Sequence, residues 1–465
     1  MKVAFSEIII TPKNYIGVSM AGYTREDTCR GKLDNIYAHG VLIEESDKRN
    51  NKRYLLLLSL DTLKLPLSLV EYIKEKIVYN IPFLNEDLII IHATHTHSSP
   101  DLTGEFYYPG GSIKFLRGVL FGVNRSDKYI VWFTQQIVKM IRDMFSNLQY
   151  CLISWTKEHF NPNLVINRRH PSEKILPELG IIAFRSKHSQ DLIGILINYA
   201  CHPTSLSYLN NKLSADYPGR ILFRIKELTH GKIKGIYFNG SSGNYNPITT
   251  CGTNYEILQR SKSLVYNQQG NYGHTKKIGY TLAEKALKLV NSIPIEEYLE
   301  ICTISSHSRY FWIPLRDFRY YSKNWVANKI RFVLKKFFLL PLSKLIKTNF
   351  TKFVMKYKKL NLVAKSNVQV VQFKLSNPLR SESRNFDMIL VPGELYGEYG
   401  RDLLSKSPSG SNNSFIFQNT NDWIGYLFPI EDYIEQGGWE SFAGFSPVCG
   451  LYIINHLFKI FKKLK

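Results

Sequence analysis

Three histidines lie within six residues, at His92, His95 and His97, directly after the apolar run Leu88–Ile91 and before Ser98-Ser99-Pro100-Asp101. The apolar run predicts a buried strand and the Ser-Ser-Pro-Asp run a turn. If the chain stays extended through His95, Thr96 and His97, both imidazoles project to one face. Such a pair at a strand end can hold a metal or move a proton. The alternative is a solvated turn that happens to be rich in histidine. His202 repeats the arrangement: it follows the apolar run Leu192–Ala200 and precedes Pro203. Glu394 is the first acidic side chain after the apolar run Ile389–Val391, either a ligand or the solvated start of a helix. A catalytic zinc site needs about three protein ligands and an open position. Two histidine-bearing strand ends and a carboxylate or further histidine meet that need. The loop Asn239–Pro247 is rich in glycine and serine, so its backbone amides are candidates to face a ligand.

The elements that must position these groups are legible as alternating strands and helices. Ile36–Glu44, Tyr54–Leu60, Leu179–Phe184, Ile236–Phe238 and Phe415–Phe417 read as strands. Helical spacing covers Ser68–Val78, Val131–Met144 (Val131, Ile137, Ile141, Met144), a stretch ending at Leu228, and Leu395–Leu404. Asp61 closes a strand, where it is either a helix cap or a site carboxylate. The expected fold is α/β, with mixed β-sheets flanked by helices and the site at strand ends.

The 465 residues are 44% hydrophobic and 13% aromatic, ample for a large core. Six scattered cysteines with no CxxC exclude a disulfide scaffold and a cysteine zinc site, and fit a reducing compartment. The first residues lack a basic region followed by an apolar core, so no signal peptide is expected. No run approaches the roughly 18 apolar residues of a membrane-spanning helix.

The ordered set HATHTHSSP, NYACHPTSL with SADYPG, NGSSGNYNP, VPGE and NDWIGYLFPIEDY resembles the catalytic domain of the neutral (alkaline, non-lysosomal) ceramidase family. The resemblance spans nearly the whole chain apart from roughly 318–365 and the C-terminal tail. It implies a zinc site built from His95, His202, Glu394 and Tyr426. It also implies a substrate-contacting or oxyanion-stabilising role for His97 and a substrate-facing role for Arg168. Tyr433 matches a tyrosine that follows the metal-ligand tyrosine, and Trp439 stands near where the family often has another. The Gly/Ser loop departs from the family, which carries a serine and then Gly-Asp-Val-Ser-Pro. Here Gly243-Asn244-Tyr245-Asn246-Pro247 replaces that run. Read without gaps, the family's serine falls on Gly240, and Ser241 is one position off. Ser241 is the catalytic candidate in that loop, with Ser242, Gly243 and Asn244 as substrate-facing neighbours. The family's C-terminal immunoglobulin-like domain is not expected, because the chain ends soon after Pro447.

The activity this implies is zinc-dependent hydrolysis of an N-acyl bond in an N-acylated lipid or N-acyl amino sugar. His97, and loop amides around Ser241–Gly243, would steady the oxyanion, and His97 or Tyr433 would protonate the leaving amine. The alternatives are a zinc esterase and a ceramidase-like binding or scaffold protein without turnover.

The net charge of +22 is mostly local. Phe318 to Ser381 holds fifteen Lys and Arg and no acid. Within that stretch Ile330, Val333, Leu334, Phe337 and Phe338 follow helical spacing. The tail repeats the pattern with Ile453, Ile454, Leu457, Phe458, Phe461 and Leu464 beside Lys459, Lys462, Lys463 and Lys465. Basic amphipathic helices at 323–360 and 451–465 point to an anionic membrane surface, or to packing on the core with a solvated lysine face. Nucleic acid is not expected, because no recognised fold or base-stacking motif accompanies the charge. The expected organisation is a hydrolase domain at 1–450, interrupted by a basic insertion at 318–365 and followed by a helix at 451–465. The expected location is cytoplasmic and peripheral on a membrane.

Overall fold

The computed structural model describes residues 1–46 (without Thr24 and Glu26), 51–104, 125–249, 270–314, 358–359, 363–377, 382–435 and 446–464, together with Phe106, Phe337 and Glu440. The expected insertion at 318–365 lies almost entirely outside these residues, as does the membrane contact assigned to 323–360.

Eight strands form one mixed sheet: β1 (Lys2–Ile9), β2 (Tyr37–Ser46), β3 (Lys52–Leu60), β4 (Ile89–Ala93), β5 (Gln149–His159), β6 (Glu178–Ser186), β7 (Leu192–Tyr199) and β8 (Lys234–Asn239). Their order is β8-β7-β6-β5-β1-β2-β3-β4. The pairs β3–β4 and β7–β8 are parallel, so the histidine-bearing strands β4 and β7 each leave the sheet beside a strand running the same way. Helices α1 (Leu67–Asn80), α2 (Asp127–Phe145), α3 (Asp216–Leu228) and α4 (Tyr272–Asn291) cover its outer face.

The second sheet runs β9 (Glu300–Pro314), β11 (Val363–Asn377), β12 (Glu382–Leu390), β14 (Ser414–Phe417), with β10 (Lys358–Lys359) pairing β11. Between β12 and β14 lie the short strand β13 (Glu394–Leu395) and helix α5 (Gly397–Lys406). Beyond β14 come the short strand β15 (Tyr426–Leu427), α6 (Ile430–Glu435) and α7 (Cys449–Leu464).

Alternation along the strands sets the layers. In β2, Val41 and Ile43 pack inward against Val371, Phe373, Phe386 and Met388 of the second sheet. Ala38 and Leu42 point the other way, to α1 and α2. The result is four layers, helix–sheet–sheet–helix, as the expected α/β class with mixed sheets requires.

The helices follow the expected spacing with shifted ends. In α2 the Ser126 side chain accepts from Tyr129 N–H as an N-cap, and Ile130, Phe133, Ile137, Ile141 and Met144 are buried. Val131 is exposed; Ile130 takes its place on the stripe. The expected helix Leu395–Leu404 begins at Gly397 instead, because Glu394 and Leu395 pair in parallel with Tyr426 and Leu427. Asp61 caps no helix. It is buried and accepts from Tyr37 N–H (2.8 Å) and Thr94 Oγ1 (3.2 Å), and burial pushes its carboxyl up to about 8.

The tail packs as the second of its two expected readings, against the core. Ile453, Ile454, Leu457, Ile460 and Phe461 of α7 are buried against Val368, Val370, Leu395, Leu403, Ile424 and Leu427, with Phe458 and Leu464 packed alongside. The apolar stripe therefore seals the second sheet and is not offered to lipid. Among the described residues no helix is long and apolar enough to cross a membrane. Leu457→Ala should lower unfolding free energy by about 2–5 kcal/mol, read from denaturant midpoints. Weaker liposome binding at an unchanged midpoint would return the stripe to a lipid role.

Candidate metal centre and active site

His95 reaches the site by a turn, not by strand alternation. The β4 strand ends at Ala93, and His95 has φ +68°, a left-handed conformation that costs energy for a residue with a side chain. The extended path expected through His95-Thr96-His97 is therefore broken. Its N–H donates to Thr62 O, and its Nδ1 lies 2.7 Å from Leu63 O. His202 leaves β7 and sets Nδ1 3.0 Å from Ser242 O. In both residues a carbonyl engages Nδ1 and leaves Nε2 for the centre, the usual outer-shell arrangement of ligating histidines.

Glu394 arrives from the second sheet. Its Oε2 lies 3.3 Å from His95 Nε2 and 3.1 Å from His202 Nε2. That oxygen is fully buried yet makes no hydrogen bond of ordinary geometry with either ring. Its Oε1 accepts from Trp423 Nε1–H at 3.0 Å. Tyr426 faces Glu394 across the β13–β15 pair and puts its hydroxyl 3.5 Å from His202 Nε2, with the two rings stacked at 8°. Two glycines permit this convergence: a Cβ on Gly393 would strike Gly425 O, and one on Gly243 would strike Glu394 O.

The electrostatics match a site built around a cation. Burial raises the Glu394 carboxyl, but the two imidazoles outweigh it and hold the group well below its ordinary value. Burial lowers His202 to about 4 and lifts the Tyr426 phenol well above its usual range, with Glu394 adding to it. Two imidazole nitrogens, a carboxylate and a phenol, with no thiolate, form a donor set that fits zinc. The buried carboxylate oxygen poised between two imidazole nitrogens is the observation that fits a bound ion.

His97 joins the same cluster. The ligand atoms of His95, His97 and His202 lie within 4.8 Å of one another, and all three residues are buried. Neither ring nitrogen of His97 has a hydrogen-bond partner among the described residues. Packing holds the ring instead: Tyr23 lies against it at 4.5 Å between centroids, and a Cβ on Gly22 (φ +97°) would collide with it. His97 lacks, among the described residues, the carbonyl contact that orients His95 and His202. His92 is outside the cluster. It is buried between Ser59 Oγ and Asn239 Oδ1, 2.9 Å from each, and ties β3 and β4 to β8.

The Gly/Ser loop is knitted into the protein, contrary to the open-amide expectation. Ser242 N–H donates to Gln418 Oε1 (3.1 Å) and Gly243 N–H to Leu395 O (2.7 Å). Asn244 Nδ2 donates to Glu398, and its Oδ1 accepts from Gly397 N–H at the start of α5. Ser241 Oγ lies against Gly400 of α5, where a Cβ would collide with it. The loop therefore holds His202 through Ser242 O and does not present free amides at Ser242 or Gly243. Arg168 donates to Asn246 Oδ1 (2.9 Å) and Gly243 O (2.6 Å), packs over the Tyr426 ring at 5.1 Å, and lies 3.0 Å from Glu440. It braces Tyr426 and the loop together.

Tyr433 lies in α6, and Trp439 falls outside the described residues. Sequence reasoning missed Trp423 and Gln418. It also missed Arg169 and Glu440, which pair at 3.2 Å beside Arg168. Trp423 lies inside the NDWIGY motif, Arg169 adjoins Arg168 and Glu440 adjoins Trp439; Gln418 carries no sequence signal of its own.

No family model matches the sequence, and no curated protein matches it. Among solved structures, neutral ceramidase from Pseudomonas aeruginosa superposes with a TM-score of 0.70 at 15% identity, covering 99% of this chain and 74% of that one. The chain has the neutral ceramidase fold. A ceramidase complexed with C2 gives a TM-score of 0.68, also at 15% identity, over 98% of this chain and 74% of that one. Within the ceramidase fold the site here lies where the two sheets meet: Ala93 N–H donates to Asn419 O and Asn421 N–H to Ile91 O. Replacing Trp423 with Phe keeps an aromatic ring but removes the donor to Glu394. If the cluster holds zinc, the change should weaken its affinity about 10–100-fold, measured by competition with a chromophoric chelator; unchanged affinity would show that the indole does not orient a metal ligand.

Proposed function

We propose that this protein is a zinc-dependent hydrolase of an N-acyl bond, acting on an N-acylated lipid or N-acyl amino sugar. The observation that carries the reading is the buried Glu394 Oε2 between His95 Nε2 and His202 Nε2, with Tyr426 beside them. The ceramidases that share the fold support the amide class.

His95, His202, Glu394 and Tyr426 would hold the ion. A zinc ion held there would supply a nucleophilic water near neutral pH. His97 lies beside that centre with both ring nitrogens unpartnered among the described residues, and it would donate to the carbonyl oxygen as negative charge develops on it. Arg168 keeps Tyr426 in place, and burial of the cluster keeps bulk water from competing. As the ceramidase resemblance implies, His97 or Tyr433 would protonate the leaving amine. An acyl ester would share the tetrahedral geometry, so esterase activity belongs in the same assay. A binding protein without turnover is the second reading, favoured by a Gly/Ser loop whose Ser241 packs on Gly400.

Purified protein should contain about one zinc per chain by elemental mass spectrometry, and His202→Ala should contain none while keeping its circular dichroism spectrum. Wild type should release amine from an N-acyl panel, stop with chelator and recover with zinc. A folded, metal-free His202→Ala that still hydrolyses at the wild-type rate would end the metal reading. Zinc without turnover of any amide or ester would favour the binding protein. His97→Ala should keep its zinc and lose about 10²–10³-fold in kcat, the usual cost of an oxyanion donor; loss of zinc instead would make His97 a ligand.

A further inference from the structure

One buried cation beside the site has no counter-charge among the described residues. Arg25 is 5% exposed, and its guanidinium donates only to backbone carbonyls. Nε donates to Asn210 O (2.7 Å), Nη1 to Ala21 O (2.9 Å) and Nη2 to His97 O (2.5 Å). No carboxylate of the described residues lies within ion-pair distance of it. Arg168 and Arg169, by contrast, each reach a carboxylate, that of Glu440, and Glu394 faces two imidazoles. Burying a cation without an anion is costly even when its hydrogen bonds are made.

The geometry says where an anion would sit. A guanidinium has five N–H donors. Three are used here, which leaves one N–H on Nη1 and one on Nη2 to donate to a carboxylate or phosphate. The same guanidinium packs over the Tyr23 ring at 5.1 Å, and Tyr23 packs on the His97 ring at 4.5 Å. His97 is buried, and both its ring nitrogens are unpartnered among the described residues. Arg25 thus grips the backbone of the residue that the hydrolase reading assigns to the substrate carbonyl.

We propose that the site accepts N-acyl amines carrying an anionic group close to the scissile amide, with Arg25 as the residue that recognises the anion. This rests on the amide-hydrolase reading above and narrows it. The shared chemistry is a compact oxyanion, either the carboxylate of an N-acyl amino acid or the phosphate of an N-acyl phosphoethanolamine.

The test compares kcat/KM for three substrates of one acyl length, an N-acylglycine, an N-acyl phosphoethanolamine and a neutral N-acylethanolamine, in wild type, Arg25→Gln and Arg25→Lys. Wild type should prefer at least one anionic substrate tenfold or more. Arg25→Gln should raise KM for that substrate at least tenfold and collapse the preference, and Arg25→Lys should keep part of it. Which anion leads separates the carboxylate from the phosphate source. A wild-type preference for the neutral amide overturns the proposal. So does an equal loss on all three substrates, which would make Arg25 a staple for His97 and nothing more. If no amide is cleaved at all, the hydrolase reading fails separately. Calorimetric titration with N-acylglycine then decides: binding to wild type and not to Arg25→Gln supports the anion site, and no binding to wild type ends it. Should Arg25→Gln lose its fold by circular dichroism, the Arg25→Lys ratio and the wild-type preference decide between the same two outcomes.

Discussion

A carboxylate confined between two imidazoles in a dry interior is the constraint on which the rest of the structure depends. Glu394 is 1% exposed, and burial alone would leave its charge uncompensated. It is held from three directions: by His95 and His202 at Oε2, by the Trp423 indole at Oε1, and by parallel pairing of β13 with β15 along the backbone. The histidines come from the first sheet and the carboxylate from the second. The packing of Val41 and Ile43 against Val371 and Phe373 is therefore what fixes their distance. The sheet interface is a core and also the ruler of the site.

Strain gathers where the ruler is read. His95, Asn419 and Asn421 all have positive φ, and all lie in the loops that join the two sheets. Asn tolerates this conformation; His does not do so readily. The turn at His95 is over-determined by Thr62 O, Leu63 O and the Glu394 contact. A relaxed extended path would send the His95 ring elsewhere, so the unfavourable backbone is tied directly to the convergence of the donors.

Much of this could be read from residue order, and the limits were physical. Alternating apolar runs ending in polar turns marked β4, β7 and β12, and so the strand ends that bring His95, His202 and Glu394 together. Periodicity could not reveal the left-handed turn at His95, because tertiary contacts to Thr62 and Leu63 hold a φ that histidine's own preference disfavours. Nor could it show that the Gly/Ser loop spends its amides on Gln418 and Leu395, whose partnership is tertiary. The basic tail helix satisfied two readings equally, since a stripe that fits a membrane also fits a sheet. Only the buried contacts of Leu457 with the second sheet separate them.

The docking of α7 has a further consequence for how the site comes into being during synthesis. Ile453, Leu457 and Phe461 pack beneath Leu395, Ile424 and Leu427, the residues adjoining Glu394 and Tyr426. Tyr426 itself lies 224 residues beyond His202. At about 5–20 residues per second, the histidine half waits on the order of 10–45 s on the ribosome before its partners emerge. It waits longer still for the helix that backs them. A chain interrupted before α7 would carry every candidate ligand and lack the buttress that aligns them. An early stop before α7 would therefore leave the motifs of the site intact and remove the helix that packs behind Leu395 and Leu427.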